Sequence, residues 1–219
     1  MSDETRRTGC VFVFSGPSGT GKTTLAWEVI RRVPGMEFSV SYTTRAPRDG
    51  EQEGVDYRFV ECAEFERLRT RGEFAEWAEV FGNLYGTHRG DLERVVAEGR
   101  DIVLDIDIQG ALQVRRARRE SILVFILPPD FEALRQRLVA RAKDHPEAIS
   151  RRLQAARSEI EHAFEFDYLV VNDSLEEAVA RLQAVVQAER LRRFKQEGIL
   201  RRILASFPAA PAGGRTDRR

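Results

Sequence analysis

The sequence predicts an α/β fold in which a parallel sheet of the phosphate-loop NTPase type is flanked by helices. Three observations carry this. The octet Gly16-Pro17-Ser18-Gly19-Thr20-Gly21-Lys22-Thr23 reads G-x-x-x-x-G-K-T. It stands between an apolar run, Val11 to Phe14, and a segment, Thr24 to Ile30, with apolar residues at helical spacing. That is the strand, turn and helix order such a loop needs. Downstream, residues 101–107 and 121–127 are apolar runs of the kind buried on both faces of a parallel sheet.

Bulk properties bound the rest. The 219 residues suit one α/β domain with a substantial core. Lys plus Arg and Asp plus Glu are both 35, so the chain lacks the basic excess of a nucleic-acid binder. No apolar run approaches the roughly 20 residues of a membrane span, and Met1 to Gly9 lacks the apolar core of a signal peptide. Cys10 and Cys62 stand alone, without metal-ligand spacing. The expectation is a cytoplasmic protein with no nucleic-acid, membrane or obligate protein partner.

Residues 1–9 read as a flexible lead-in. In the loop, glycines let backbone N–H groups turn inward around anionic oxygens, and the next helix adds its positive end. Lys22 is expected to reach the β- and γ-phosphates of a nucleotide, and the Thr23 hydroxyl to meet Mg²⁺. The helix ends near Pro34-Gly35. Residues 41–57 are polar and broken, and contain Arg45 and Arg48. They read either as a solvated loop or as an anion clamp. Glu61 to Arg71 suits a helix with Phe65 and Leu68 inward. Phe74 to Val80 alternates, so that Glu76 shares a face with Phe74, Ala78 and Val80. A carboxylate there is costly unless a donor meets it. His88 to Glu98 reads as a helix closed by Gly99. His88, His145 and His162 show no metal spacing.

The strand over 101–107 is acidic at its C-terminal end, where ligands gather in such sheets. Asp105 either helps hold Mg²⁺ through water or caps the next helix. Pro128-Pro129 stops the 121–127 strand, and Phe131 to Ala142 suits a helix. In the basic region that follows, Arg137, Arg151 and Arg157 read as a solvated helix face. Tyr168 to Val171 is the last strand. Leu175 to about Leu204 forms one or two helices interrupted at Gly198, its arginines solvated rather than an RNA-binding arm. The Pro- and Gly-rich residues 206–219 suit a disordered tail.

The motifs taken together closely resemble guanylate kinases. After GPSGTGKTT come SYTTRAPRDGEQEGVDYRF, EFAEWAEVFGNLYGT, IVLDIDIQGA and FDYLVVND, in the family's order over roughly residues 10–190. The resemblance implies a domain over 10–205, with a core at 10–38 and 89–205, a small GMP-binding subdomain near 39–88 and a helical lid near 130–157. It implies ATP as donor, GMP or dGMP as acceptor, and Mg²⁺ as cofactor. Gly16 to Thr24 and Asn172 would hold ATP, while Thr23 and Asp105 would serve the metal. Arg45, Arg48, Tyr57 and Tyr85 would hold the GMP phosphate, with Glu51 bracing the arginines. Glu76, Ser41, Thr87 and Asp107 would meet the guanine. Lys22, Arg45, Arg141 and Arg152 would neutralise charge on the transferring phosphoryl group. Two positions depart from the pattern. Thr87 stands where the family often has Ser. Ala142-Lys143-Asp144-His145-Pro146 stands where lids commonly carry Gly, which bears on lid flexibility and on the register of its arginines.

Overall fold

The computed structural model describes residues 7–80, 82–140 and 146–208. Five parallel strands form the central sheet. In spatial order they are β2 (Met36–Phe38), β7 (Asp101–Asp105), β1 (Val11–Ser15), β8 (Ile122–Leu127) and β9 (Tyr168–Val171). Every residue of β1 is buried. Phe12 and Phe14 pack into the layer holding α1 (Lys22–Arg32) and α7 (Leu175–Arg190). Val11 and Val13 pack into the layer holding α3 (Arg89–Ala97) and α4 (Ile108–Ala117). Burial on both faces is why these strands read as continuous apolar runs.

The parallel arrangement brings three strand ends to one edge. There β1 runs into the Gly-rich loop, β7 ends at Asp105, and β9 leads to Asn172. The register sets Phe14 opposite Asp105 and Leu127 opposite Val171.

A second sheet projects over that edge, in the order β4 (Arg58–Phe59), β3 (Tyr42–Thr43), β6 (Asn83–His88) and β5 (Phe74–Val80). Its small core joins Phe74 to Phe65 and Leu68 of α2 (Cys62–Thr70). Antiparallel pairing sets Glu76 opposite Thr87. On the opposite flank, α5 (Phe131–Ala140) and α6 (Pro146–Glu161) meet through Leu134, Leu138 and Ala156. Residues 141–145, including Arg141, lie outside the described residues, as do the first six residues and, of the tail expected at 206–219, everything from 209 onward; Ser206 still belongs to the last helix, which ends there.

Three expectations need correction. The C-terminal helical region breaks at 191–196 rather than at Gly198, which lies inside α8 (Glu197–Ser206). Its cations are not all solvated. Lys195 is buried and donates to the Gly9 carbonyl at 3.0 Å. Arg190 bonds Asp101 at 2.7 Å and the Pro34 carbonyl at 2.9 Å. Asp101 is wholly buried and also takes Arg7 at 2.6 Å and the Cys10 N–H at 2.8 Å. Burial alone would raise its pKa, but Arg7, the Cys10 N–H and Arg190 outweigh that and hold it below the ordinary carboxylate value. The lead-in is therefore packed from Arg7 onward. Among the described residues, no helix is long and apolar enough to cross a membrane.

Candidate active site

The phosphate loop is bound together from several sides. Gly21 adopts φ 87°, a left-handed conformation, as the N-cap of α1. A side chain there would also collide with Asn172, because a Cβ would lie 2.6 Å from Nδ2. That Nδ2 donates to the Thr20 carbonyl at 2.7 Å, and the Thr20 hydroxyl donates to the Pro17 carbonyl at 2.9 Å. Leu134 and Leu138 of α5 abut Gly19, where a Cβ would lie 3.2 and 3.0 Å from their methyls. The Lys22 ammonium donates to the carbonyls of Gly16 and Pro17, at 2.7 and 3.1 Å. The loop thus presents a cation at its mouth beside the positive end of α1, an arrangement suited to phosphate oxygens. Thr23, on the exposed side of α1, donates its hydroxyl to Asp105.

A second cluster lies in the small sheet and the loop before it. The Arg45 guanidinium grips both oxygens of Glu51, at 2.8 and 2.9 Å, and Glu51 also accepts the Arg48 N–H at 2.8 Å. The Arg45 bond, foremost, holds the Glu51 carboxyl below its usual range. Arg45 lies 5.3 Å from the centre of the Tyr57 ring, which meets the Tyr85 ring edge-on at 5.9 Å. Burial raises the Tyr57 phenol, with lesser contributions from Tyr85 and Asp105. Arg48 is exposed and Ser41 half-buried just before β3.

The third cluster is built around Glu76, which is 4% exposed. The Thr87 hydroxyl donates to its Oε1 at 2.6 Å. Its Oε2 lies against α4, where a Cβ at Gly110 would stand 2.7 Å away. Asp107 caps that helix by accepting the Gly110 N–H at 2.8 Å. Burial pushes the Glu76 carboxyl up to about 7, the Thr87 hydroxyl pulls it down, and the Asp107 charge raises it further. This is a polar group desolvated in advance, with one oxygen held by the protein and the other turned to the Asp107 end of α4.

The sequence reading missed three contributors. Gly110 sits in the interior of a helix, where glycine costs roughly 1 kcal/mol; that cost signals a close approach. Arg137 is not merely solvated, since it donates to the Asn172 carbonyl at 2.9 Å. Glu159 of α6 is half-buried, and burial raises its carboxyl against the pull of Lys22. Asn172 braces the loop, whereas Ser174 is the residue that caps α7. Arg152 is half-buried on α6; Arg151 and Arg157 are exposed. A cavity of about 920 Å³ lies between α5, α6 and the end of β8. Its lining is mostly apolar and includes none of the three clusters.

Among the described residues, no group of three or more His, Cys, Asp or Glu side chains could hold a metal. A Mg²⁺ site of the kind that shares its ion with substrate phosphates needs only one or two protein oxygens. The Thr23 hydroxyl and Asp105 carboxylate, together at the loop, fit that requirement.

Comparison with known proteins gives the same picture. The guanylate kinase family model matches residues 8–189. A guanylate kinase of Symbiobacterium thermophilum is 47% identical over 192 residues, covering 88% of this chain and 91% of the relative. That of Geobacter metallireducens is 49% identical over 190 residues, covering 87% and 94%. The crystal structure of guanylate kinase from Anaplasma phagocytophilum superposes with a TM-score of 0.77 at 37% identity, covering 94% of this chain and 98% of that one. The chain belongs to the guanylate kinase family.

Proposed function

We propose that the protein is a phosphotransferase that moves the γ-phosphoryl group of ATP to GMP or dGMP, yielding ADP and GDP or dGDP, in the cytoplasm. The observation that carries this reading is the buried Glu76, oriented by Thr87 and set against α4, the helix that follows Asp105 and its bond to Thr23 of the phosphate loop. Guanine offers N1–H and N2–H₂ as donors, which suit a carboxylate. Adenine offers a lone pair at N1 and would leave Glu76 unmet. Sites built on such bonds reject the wrong analogue by roughly 10⁴ to 10⁵. Ser41 meets O6 from the far side, and Asp107 lies at the same end of the pocket. Nothing in the set depends on a ribose 2′-OH, hence dGMP.

The remaining residues divide by substrate. Gly16 to Thr24 and Asn172 hold the ATP phosphates and shape their cradle. Arg45, Arg48, Tyr57 and Tyr85 hold the GMP phosphate, with Glu51 fixing the guanidinium of Arg45 and the backbone of Arg48. A pre-set arginine, a second arginine beside it and two phenols suit a dianion. Lys22, Arg45, Arg141 and Arg152 converge on the transferring group, where cations offset charge that grows in the transition state. Thr23 and Asp105 would hold Mg²⁺, which when bound would supply charge neutralisation. The helices near 130–157 act as a lid whose seating on Gly19 couples closure to the loop. The segment near 39–88 acts as the acceptor-binding subdomain. Phosphoryl transfer of this type is positioning plus electrostatics and requires no covalent intermediate. The set includes no nucleic acid, membrane or obligate protein partner.

The test is ADP release from Mg·ATP with GMP, dGMP, AMP, CMP and UMP in parallel. Turnover confined to GMP and dGMP is expected. No turnover with any base, despite measurable ATP binding, would refute the reading.

A further inference from the structure

The strand that carries Glu76 is an edge strand. Among the described residues, β5 pairs with β6 on one side only. On its other side the backbone of Trp77, the residue after Glu76, meets a single side chain. The Gln113 amide donates to the Trp77 carbonyl at 2.8 Å and accepts the Trp77 N–H at 3.2 Å. One primary amide thus takes the place of a missing neighbouring strand, satisfying donor and acceptor of the same residue.

Gln113 lies on α4, one turn after Gly110. α4 therefore holds β5 at two successive points. Gly110 admits the Glu76 carboxylate against the helix, and Gln113 fixes the backbone beside it. The same helix begins three residues after Asp105, which is bonded to Thr23. One rigid element thus spans from the phosphate-loop end of the cleft to the carboxylate in the small sheet. With an amide as the joint, the spacing between the two ends is set by two directional bonds rather than by apolar packing alone.

We propose that Gln113 is a positioning residue for the acceptor base: it fixes the β5 backbone to α4 so that the Glu76 carboxylate stands at the distance from the phosphate loop that GMP requires. The inference rests on the GMP reading above. Gln113 touches no substrate; it acts through Trp77 and Glu76. Its loss leaves two backbone polar groups on a half-buried edge without partners and lets β5 drift from the helix. A displacement of about 1 Å at a reacting site costs about 100-fold, so even a fraction of that drift is measurable.

The experiment compares wild type, Gln113→Leu and Gln113→Glu. It measures KM for GMP at saturating ATP, KM for ATP at saturating GMP, the kcat/KM ratio of GMP over IMP, and the urea midpoint. IMP lacks the 2-amino group, so the ratio reads how well Glu76 is placed. For Gln113→Leu the expected result is a KM for GMP raised about tenfold or more, a reduced GMP preference, and a KM for ATP within about twofold of wild type. Gln113→Glu, which still accepts the Trp77 N–H but cannot donate, should fall between. A purely structural role would lower the urea midpoint and leave KM for GMP in place, and that outcome overturns the proposal. So does a parallel rise in both KM values. If Gln113→Leu does not fold, Gln113→Glu decides, since a wild-type KM for GMP in that variant is equally fatal. A wild-type chain inactive on GMP would overturn this inference and the GMP reading together; wild-type turnover with an unaltered Gln113→Leu overturns this inference alone.

Discussion

Glu76→Gln should make the protein more stable and less selective, and the gain in stability should depend on pH. The Glu76 carboxyl is pushed from 4.5 to about 7, chiefly by burial. A rise of that size corresponds to about 3 kcal/mol. The sign follows from which form the fold disfavours. Below pH 4.5 the group is neutral in both folded and unfolded chains and contributes nothing. Above about 7 it is charged in both, and the native state carries the full cost of a desolvated charge. The glutamine amide of the variant would keep the shape and a bond to Thr87 without that charge. Urea denaturation should therefore show Glu76→Gln ahead of wild type by about 3 kcal/mol at about pH 8.5. The difference should shrink steadily and vanish near pH 4.5. A difference that stays constant across this range, or that grows as pH falls, would refute the reasoning.

On the proposed reading the same group governs the acceptor. Guanine donors stabilise only the carboxylate, so only the ionised fraction of the free protein is competent. At about pH 6 that fraction is about one in eleven, which raises the apparent KM for GMP about tenfold over about pH 8. The GMP phosphate also titrates in this range, and the Glu76→Gln profile isolates its share. The excess slope of wild type over variant is the quantity to measure.

Other perturbations follow from the same geometry. Lys22→Met should leave the urea midpoint near wild type and lower kcat by roughly 10² to 10³, the typical loss of one preorganised charge donor. Gly110→Ala should favour the helix by up to about 1 kcal/mol. Its Cβ, however, would stand 2.7 Å from Glu76 Oε2, and KM for GMP should rise about tenfold or more, measured by initial rates. Asp101→Ala leaves Arg7 and Arg190 without their shared carboxylate. Chemical denaturation should show a loss of about 3 to 5 kcal/mol, with kcat unaltered in the fraction that remains folded.

What could be read from the sequence was what is contiguous. The loop from Gly16 to Thr23 carries its chemistry in one octet, flanked by the elements it needs. The burial of Glu76 was legible because a strand alternates and its neighbours on that face are apolar. The illegible parts are meetings of distant segments. Arg137 finds the Asn172 carbonyl across 35 positions, and nothing in a run of arginines marks which one will do so. The break before α8 comes at 191–196 because the chain turns there to bring Lys195 beneath Gly9. A helix-weakening Gly198 inside the expected span misdirects the eye, since tertiary contacts override propensity.

Asp101 has one consequence for how the chain is completed. The matched family region stops at residue 189. The carboxylate at the start of β7 gets one of its two arginines from residue 190, and the lead-in to β1 is tied by residue 195. A fragment ending at Glu189 would contain the phosphate loop and every residue proposed to meet substrate, yet would seal an acid under the sheet with half its counter-charge. During synthesis the first strand leaves the ribosome early, but its lower end waits for residues 190–195 to arrive. The unit that folds is therefore longer than the unit that does chemistry, and expression boundaries drawn from catalytic motifs alone would cut through the seam that joins the two ends.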